Sequence, residues 1–155
     1  MTNIDDGADA TRLIIPALGG LYKRFAPLSY AFMRFSAGAV LFPHGVQKVF
    51  TAPFDRYVQT IAAHHLPFPA FLAFCTYFSE FVASACLALG FLTRVMALII
   101  FIQMTVIIFV FQWDNGYFWT KGGIEYALLW WLLCLAIFFR GGGRYSIDHL
   151  IGREF

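Results

Sequence analysis

The chain has 155 residues, of which 60% are hydrophobic, 19% aromatic and only 13% charged, with a mean hydropathy of +0.69. Water-soluble domains are nearer half apolar and a quarter charged, so this composition calls for lipid as the solvent of much of the chain and excludes disorder. A net charge of +2 leaves no electrostatic footprint for nucleic acid.

The chain opens MTNIDDGADATR, which is acidic where a removable secretory signal starts basic, so the whole chain is expected to be retained. Residues 1–27 read as a cytoplasmic or interfacial segment. Within it Ile14, Leu18, Leu21, Tyr22 and Phe25 form an apolar stripe beside Lys23 and Arg24, suited to an anionic lipid surface.

Crossing a hydrocarbon core takes roughly 20 helical residues, and four apolar runs approach that length: 28–50, 70–92, 94–113 and 124–139. Membrane strands would alternate polar with apolar residues, but FLAFCTYFSEFVASACLALGFL is apolar on every side. The expected fold is all-α: an integral-membrane, antiparallel four-transmembrane-helix bundle in a single domain. Between the first two runs Phe54, Tyr57, Val58, Ile61 and His65 recur at helical spacing, predicting a short interfacial helix. Only Thr93 and Arg94 separate the second run from the third, which requires a tight hairpin. Trp113, Tyr117, Phe118 and Trp119 crowd the next loop, the ring types that favour headgroup depth.

With the N-terminus inside, the inner flanks carry Arg12, Lys23, Arg24, Arg94, Arg140, Arg144 and Arg153, and the outer flanks only Lys48, Arg56 and Lys121. The positive-inside rule therefore predicts a multi-pass protein of a bacterial inner membrane with both termini, including the tail 140–155, in the cytoplasm.

An ionisable group in a span costs at least about 2.5 kcal/mol at its centre, so each one needs a partner or a purpose. Arg34 and His44 in the first run, Glu80 in the second and Glu125 at the head of the fourth qualify, joined by the uncharged but strongly polar Gln103 in the third. Arg34, Gly38, Gly45 and Lys48 share one helix face, each within roughly 40° of Arg34 at about 100° per residue; the glycines permit close helix approach. Pro43, in FPHGVQK, predicts a break that frees carbonyls near His44. Arg34–Glu80 and Lys48–Glu125 are the expected ion pairs, and two readings of them stand open. They are interhelical clamps, or Arg34, His44, Glu80 and Gln103 surround a pocket where a quinone-like headgroup exchanges protons.

Other motifs are lacking. His64 and His65 point about 100° apart on a helix and form no ligand set with His44 and His149. Cys75, Cys86 and Cys134 make no CxxC pair, so neither a metal nor a disulfide is expected. Without a haem, flavin or nicotinamide motif the chain is not expected to run redox chemistry alone.

The sequence Arg34 with FPHGVQK, Glu80 with LALGFLTR, KGGIEYALL and then RGGGRYSID resembles the DoxX family of small bacterial membrane proteins from about Leu28 to Asp148. The positions matching its pattern are Arg34, Gly45, Lys48, Glu80, Glu125, Arg144 and Asp148. The resemblance implies a four-helix inner-membrane fold and a role as a small subunit of thiosulfate:quinone oxidoreductase or quinol oxidase assemblies, or of complexes handling oxidative and thiol stress. Where the family commonly has Gly-Pro-Gly before Arg-Tyr-Ser, this chain has Gly142, which is expected to loosen the C-terminal turn. The leading expectation is a membrane subunit with a quinone or quinol site near mid-depth and a protein partner that exchanges electrons. The alternatives are a non-enzymatic scaffold or anchor for a soluble partner, and a small proton-coupled transporter; a protein partner or a homo-oligomer is expected.

Overall fold

The structure is a computed structural model that describes residues 13–154. The acidic opening and Arg12 lie outside the described residues. Six α-helices follow in order: α1 (Gly19–Phe50), α2 (Phe54–Ala63), α3 (Pro69–Leu89), α4 (Thr93–Asn115), α5 (Glu125–Arg140) and α6 (Ile147–Ile151). No strand occurs among the described residues. Three helical stretches are long and apolar enough to cross a membrane: Pro16–Phe50, Pro69–Leu89 and Thr93–Asn115. Helix α5, over the fourth apolar run, has 16 residues, a length of roughly 24 Å at helical rise.

Helix α1 differs from expectation at Pro43. It has 32 residues and runs without interruption through Pro27 and Pro43. Each proline removes one backbone donor, and the turns beside Pro43 are held from outside, because Gly38 and Gly45 lie flat on α3. A methyl group on Gly38 would stand 2.6 Å from the Ala88 nitrogen, and one on Gly45 would collide with the Glu80 carbonyl. The ring of Pro43 itself faces outward.

Helices α3 and α4 each contain a π turn, at Phe78–Ala83 and Ile107–Gln112. A π turn lengthens the hydrogen-bond step and leaves a carbonyl short of its usual partner; in α3 the Ser84 hydroxyl donates to the Glu80 carbonyl. Helix α1 packs along α3, and α4 along α5. Indole donors tie the layers together. Trp130 Nε1 donates to the Ala37 carbonyl at 3.0 Å and Trp131 Nε1 to Thr105 Oγ1 at 2.9 Å. Ala83, Leu87, Ala97, Ile100, Cys134 and Ile137 fill the space between, each fully buried.

Helix α2 buries Ile61 and packs on α3, where Phe54 and Tyr57 meet the Tyr77 ring edge-on at 5.4 and 5.8 Å. At the opposite end, Gly90 and Leu92 take positive φ values of 72° and 49° between α3 and α4. For leucine this backbone region is costly, and it is held by a cap from far along the chain. Asp148 Oδ1 accepts from Leu92 N at 2.7 Å, and Oδ2 accepts from Thr93 N at 2.8 Å and Thr93 Oγ1 at 2.6 Å. The carboxylate of α6 thus satisfies the first amides of α4.

Candidate functional site

Glu80 sits on the π turn of α3 and is 3% exposed. Its Oε2 forms an ion pair with Lys48 Nζ of α1, and its Oε1 accepts from Gln103 Nε2 of α4 at 2.7 Å. Lys48 Nζ also stands 5.1 Å from the centre of the Tyr57 ring, on the side of α2, where the aromatic face attracts a cation. Helices α1, α2, α3 and α4 therefore converge on one carboxylate.

The partners differ from those expected. Glu80 takes Lys48 and not Arg34, because the small residues set the register of α1 on α3. Gly45 touches the Glu80 backbone, and Lys48 lies one turn beyond it. Arg34 is 11 positions back along α1, roughly 16 Å at helical rise. Its Nη2 donates to the Tyr145 carbonyl at 2.7 Å, and its guanidinium lies against Gly90 at the Asp148 end, 2% exposed. Glu125 does not meet Lys48 either. Its Oε2 accepts from Trp119 N at 3.1 Å and closes the loop ahead of α5.

Two cavities flank the Glu80–Gln103 bond. One of about 530 Å³ lies between α1, α4 and α5 and is lined by His44, Glu80, Met104, Gln112, Tyr126 and Trp130, among others. His44 is exposed on its open side, while Gln112 Oε1 is buried without a hydrogen-bond partner. The other, of about 360 Å³, is lined by Tyr57, Ser79 and Gln103 with apolar residues of α2, α3 and α4. Of the predicted site residues, His44 and Glu80 share a cavity, Gln103 reaches it only through Glu80, and Arg34 lines neither.

Sequence reasoning missed Ser79, Gln112, Tyr126 and Trp130. Gln112 carried a legible signal, an amide near the end of an apolar run; the others are ordinary residues for a membrane helix. Among the described residues no three His, Cys, Asp or Glu side chains gather as metal ligands, and the three cysteines are unpaired.

At the Asp148 end the turn that Gly142 was expected to loosen is tied instead. The Gly142 N–H, which a proline would lack, donates to Glu154 Oε1, and Glu154 Oε2 lies 3.8 Å from Arg94 Nη2.

The apolar spans and the buried polar cluster define a membrane protein. A family model described as DoxX matches residues 29–113, more than half of the chain, and the chain belongs to the DoxX family. The match runs from within α1 to near the end of α4 and so includes His44, Lys48, Glu80 and Gln103; the C-terminal motifs lie beyond it. No curated protein and no solved structure was found to be similar.

Proposed function

We propose that this chain is a membrane subunit of a redox complex and that the His44–Glu80 cavity receives a quinone or quinol headgroup. In this reading α1, α3, α4 and α5 cross a bacterial inner membrane as a four-span bundle, with both termini cytoplasmic by the distribution of basic residues. The observation that carries it is the meeting, in one cavity of about 530 Å³, of two proton-exchanging groups, His44 and Glu80, with the unpartnered acceptor Gln112 Oε1.

The lining fits such a headgroup. Trp130 and Tyr126 offer ring surfaces, and an orphan amide oxygen suits a hydroxyl donor. A bound quinone would supply two-electron, two-proton carrier chemistry, its electrons exchanged with a partner protein. Lys48 and Gln103 hold the Glu80 carboxylate at the cavity wall. Glu80 takes or gives the proton on the buried side, and His44 exchanges protons with water on the open side. Arg34 has no contact with this chemistry; it ties α1 to the C-terminal segment.

The test is binding of a short-chain benzoquinone to the purified chain in nanodiscs, read by quenching of tryptophan fluorescence. His44→Ala and Tyr126→Ala should each weaken binding several-fold, and Trp130→Phe should remove most of the quenching. Unchanged binding in all three would sink the proposal.

A scaffold reading draws support from a different observation, the exposure of Leu150 (84%) and Ile151 (56%) on α6. Replacing both by alanine keeps Asp148 in place. In that reading it reduces recovery of a partner complex and leaves quinone binding alone.

A further inference from the structure

The smaller cavity has a chemistry of its own. It lies on the far side of the Glu80–Gln103 bond, and Ile107 is the one lining residue it shares with the larger. Its wall is largely apolar; the hydroxyl and amide side chains on it are Tyr57, Thr76, Ser79 and Gln103, and two of their atoms are unsatisfied. Ser79 Oγ and Gln103 Oε1 both lack a hydrogen-bond partner, and the residues are 1% and 9% exposed.

Neither orphan is a matter of indifferent geometry. Serine and threonine in apolar helices usually satisfy themselves on the preceding turn, and this chain does so at Thr76, whose Oγ1 donates to the Leu72 carbonyl at 3.1 Å, and at Thr105, which donates to Phe101 at 2.9 Å. Ser84 does the same on Glu80. Ser79, on the π turn, does not. For Gln103 the orientation of the amide is dictated by Glu80, since only the nitrogen can donate to a carboxylate; the oxygen is thereby committed to the other side. A buried acceptor is costly to leave unpaired, and a ligand hydroxyl would satisfy it. The surrounding rings of Tyr57, Phe71 and Phe111 suit a flat aromatic body, and the volume lies at the small end of ligand pockets.

We infer that this cavity is a second binding site, for a compact lipid-soluble phenol whose hydroxyl donates to Gln103 Oε1 and accepts from Ser79 Oγ. It does not depend on the quinone reading, because the polar groups of the two cavities belong to different residues and only Ile107 lines both.

The experiment is a fluorine NMR titration of 4-(trifluoromethyl)phenol, with its methyl ether 4-(trifluoromethyl)anisole as the donor-free control, against the full chain in nanodiscs. Empty nanodiscs provide the baseline for partitioning. Saturable phenol binding is expected, on the order of tenfold tighter than the ether. Ser79→Ala should weaken the phenol, whose oxygen then has no hydroxyl to accept from. Ile102→Trp, at a lining position that is 54% exposed and tolerant of size, should block both, and His44→Ala should change neither. Equal affinity for phenol and ether, or shifts that never saturate above the empty discs, would overturn the site. So would saturable binding that survives both Ser79→Ala and Ile102→Trp.

Discussion

Gln103 Nε2 donates to Glu80 Oε1 at 2.7 Å, one turn ahead of the π turn of α4 and on the π turn of α3. The bond joins two helices at the level where both depart from regular α geometry, and it separates the two cavities. Since Lys48 takes the other carboxylate oxygen, neither oxygen of Glu80 is left without a partner, and any group entering the larger cavity meets a carboxylate whose position is already determined.

The exchange of ion-pair partners is open to a double-mutant cycle. Lys48→Met leaves a carboxylate that is 3% exposed without its counter-charge, and breaking a buried pair costs about 3–5 kcal/mol. The coupling between Lys48→Met and Glu80→Gln should be clearly non-zero in thermal unfolding of the protein in micelles. Arg34→Met and Glu80→Gln should instead add within about 0.5 kcal/mol, as separated sites do. A large Arg34–Glu80 coupling would restore the pairing expected from the sequence.

Two glycines on one helix should respond to alanine with opposite sign. Gly45→Ala drives a methyl group into the Glu80 carbonyl and should destabilise by about 1–3 kcal/mol, the usual range for overpacking. Gly20 has nothing within 4 Å of an added methyl group, so Gly20→Ala should be neutral or gain up to about 1 kcal/mol of helix propensity. Melting temperatures of the two variants side by side decide it; equal losses would mean that α1 does not lie on α3 at Gly45.

What could be read from the residues follows from which forces act locally. Glu80 stands out because a single carboxylate interrupts an apolar run, and the face carrying Arg34, Gly38, Gly45 and Lys48 follows from helix period alone. The partner of Glu80 does not, because it depends on how α1 slides along α3. Hydropathy starts the first span near Leu28, whereas α1 begins at Gly19, so the apolar run does not give the relative depth of its residues. Contact of Gly38 with Ala88 and of Gly45 with Glu80 sets the register instead. The continuity of α1 at Pro43 and the π turns have the same origin: tertiary packing decides them, and no residue there announces them. The orphan oxygens of Ser79 and Gln103 are one step further removed, since they exist only once those turns have formed.

Asp148 reaches 56 positions back to cap α4, so its loss should act at a distance. Asp148→Ala should cost about 0.5–2 kcal/mol, as for other helix caps, and should free the C-terminal segment to protease at Arg144 and Arg153. Thr93→Val, which removes only the hydroxyl bond to Oδ2, should cost less and leave the segment protected. Limited trypsin digestion in micelles reads both, and equal digestion of Asp148→Ala and the unaltered protein would show that the cap does not hold the tail.

Tyr57 gives the polar cluster a signature in pH. Burial, and next the nearby Glu80 carboxylate, push its phenol up from 10.0 to about 12, because both disfavour phenolate. The folded value lies above the unfolded one, so the associated stability is fully present below pH 10 and is lost as pH rises through about 12. In absorbance at 295 nm, the difference between the unaltered protein and Tyr57→Phe should show one phenolate forming near pH 12. Over the interval from about pH 10 to 12 the unaltered protein should lose melting temperature faster than Tyr57→Phe, which has no hydroxyl to ionise. A difference titration centred at pH 10 would mean that the Tyr57 ring is exposed to water rather than packed beneath the Lys48–Glu80 pair.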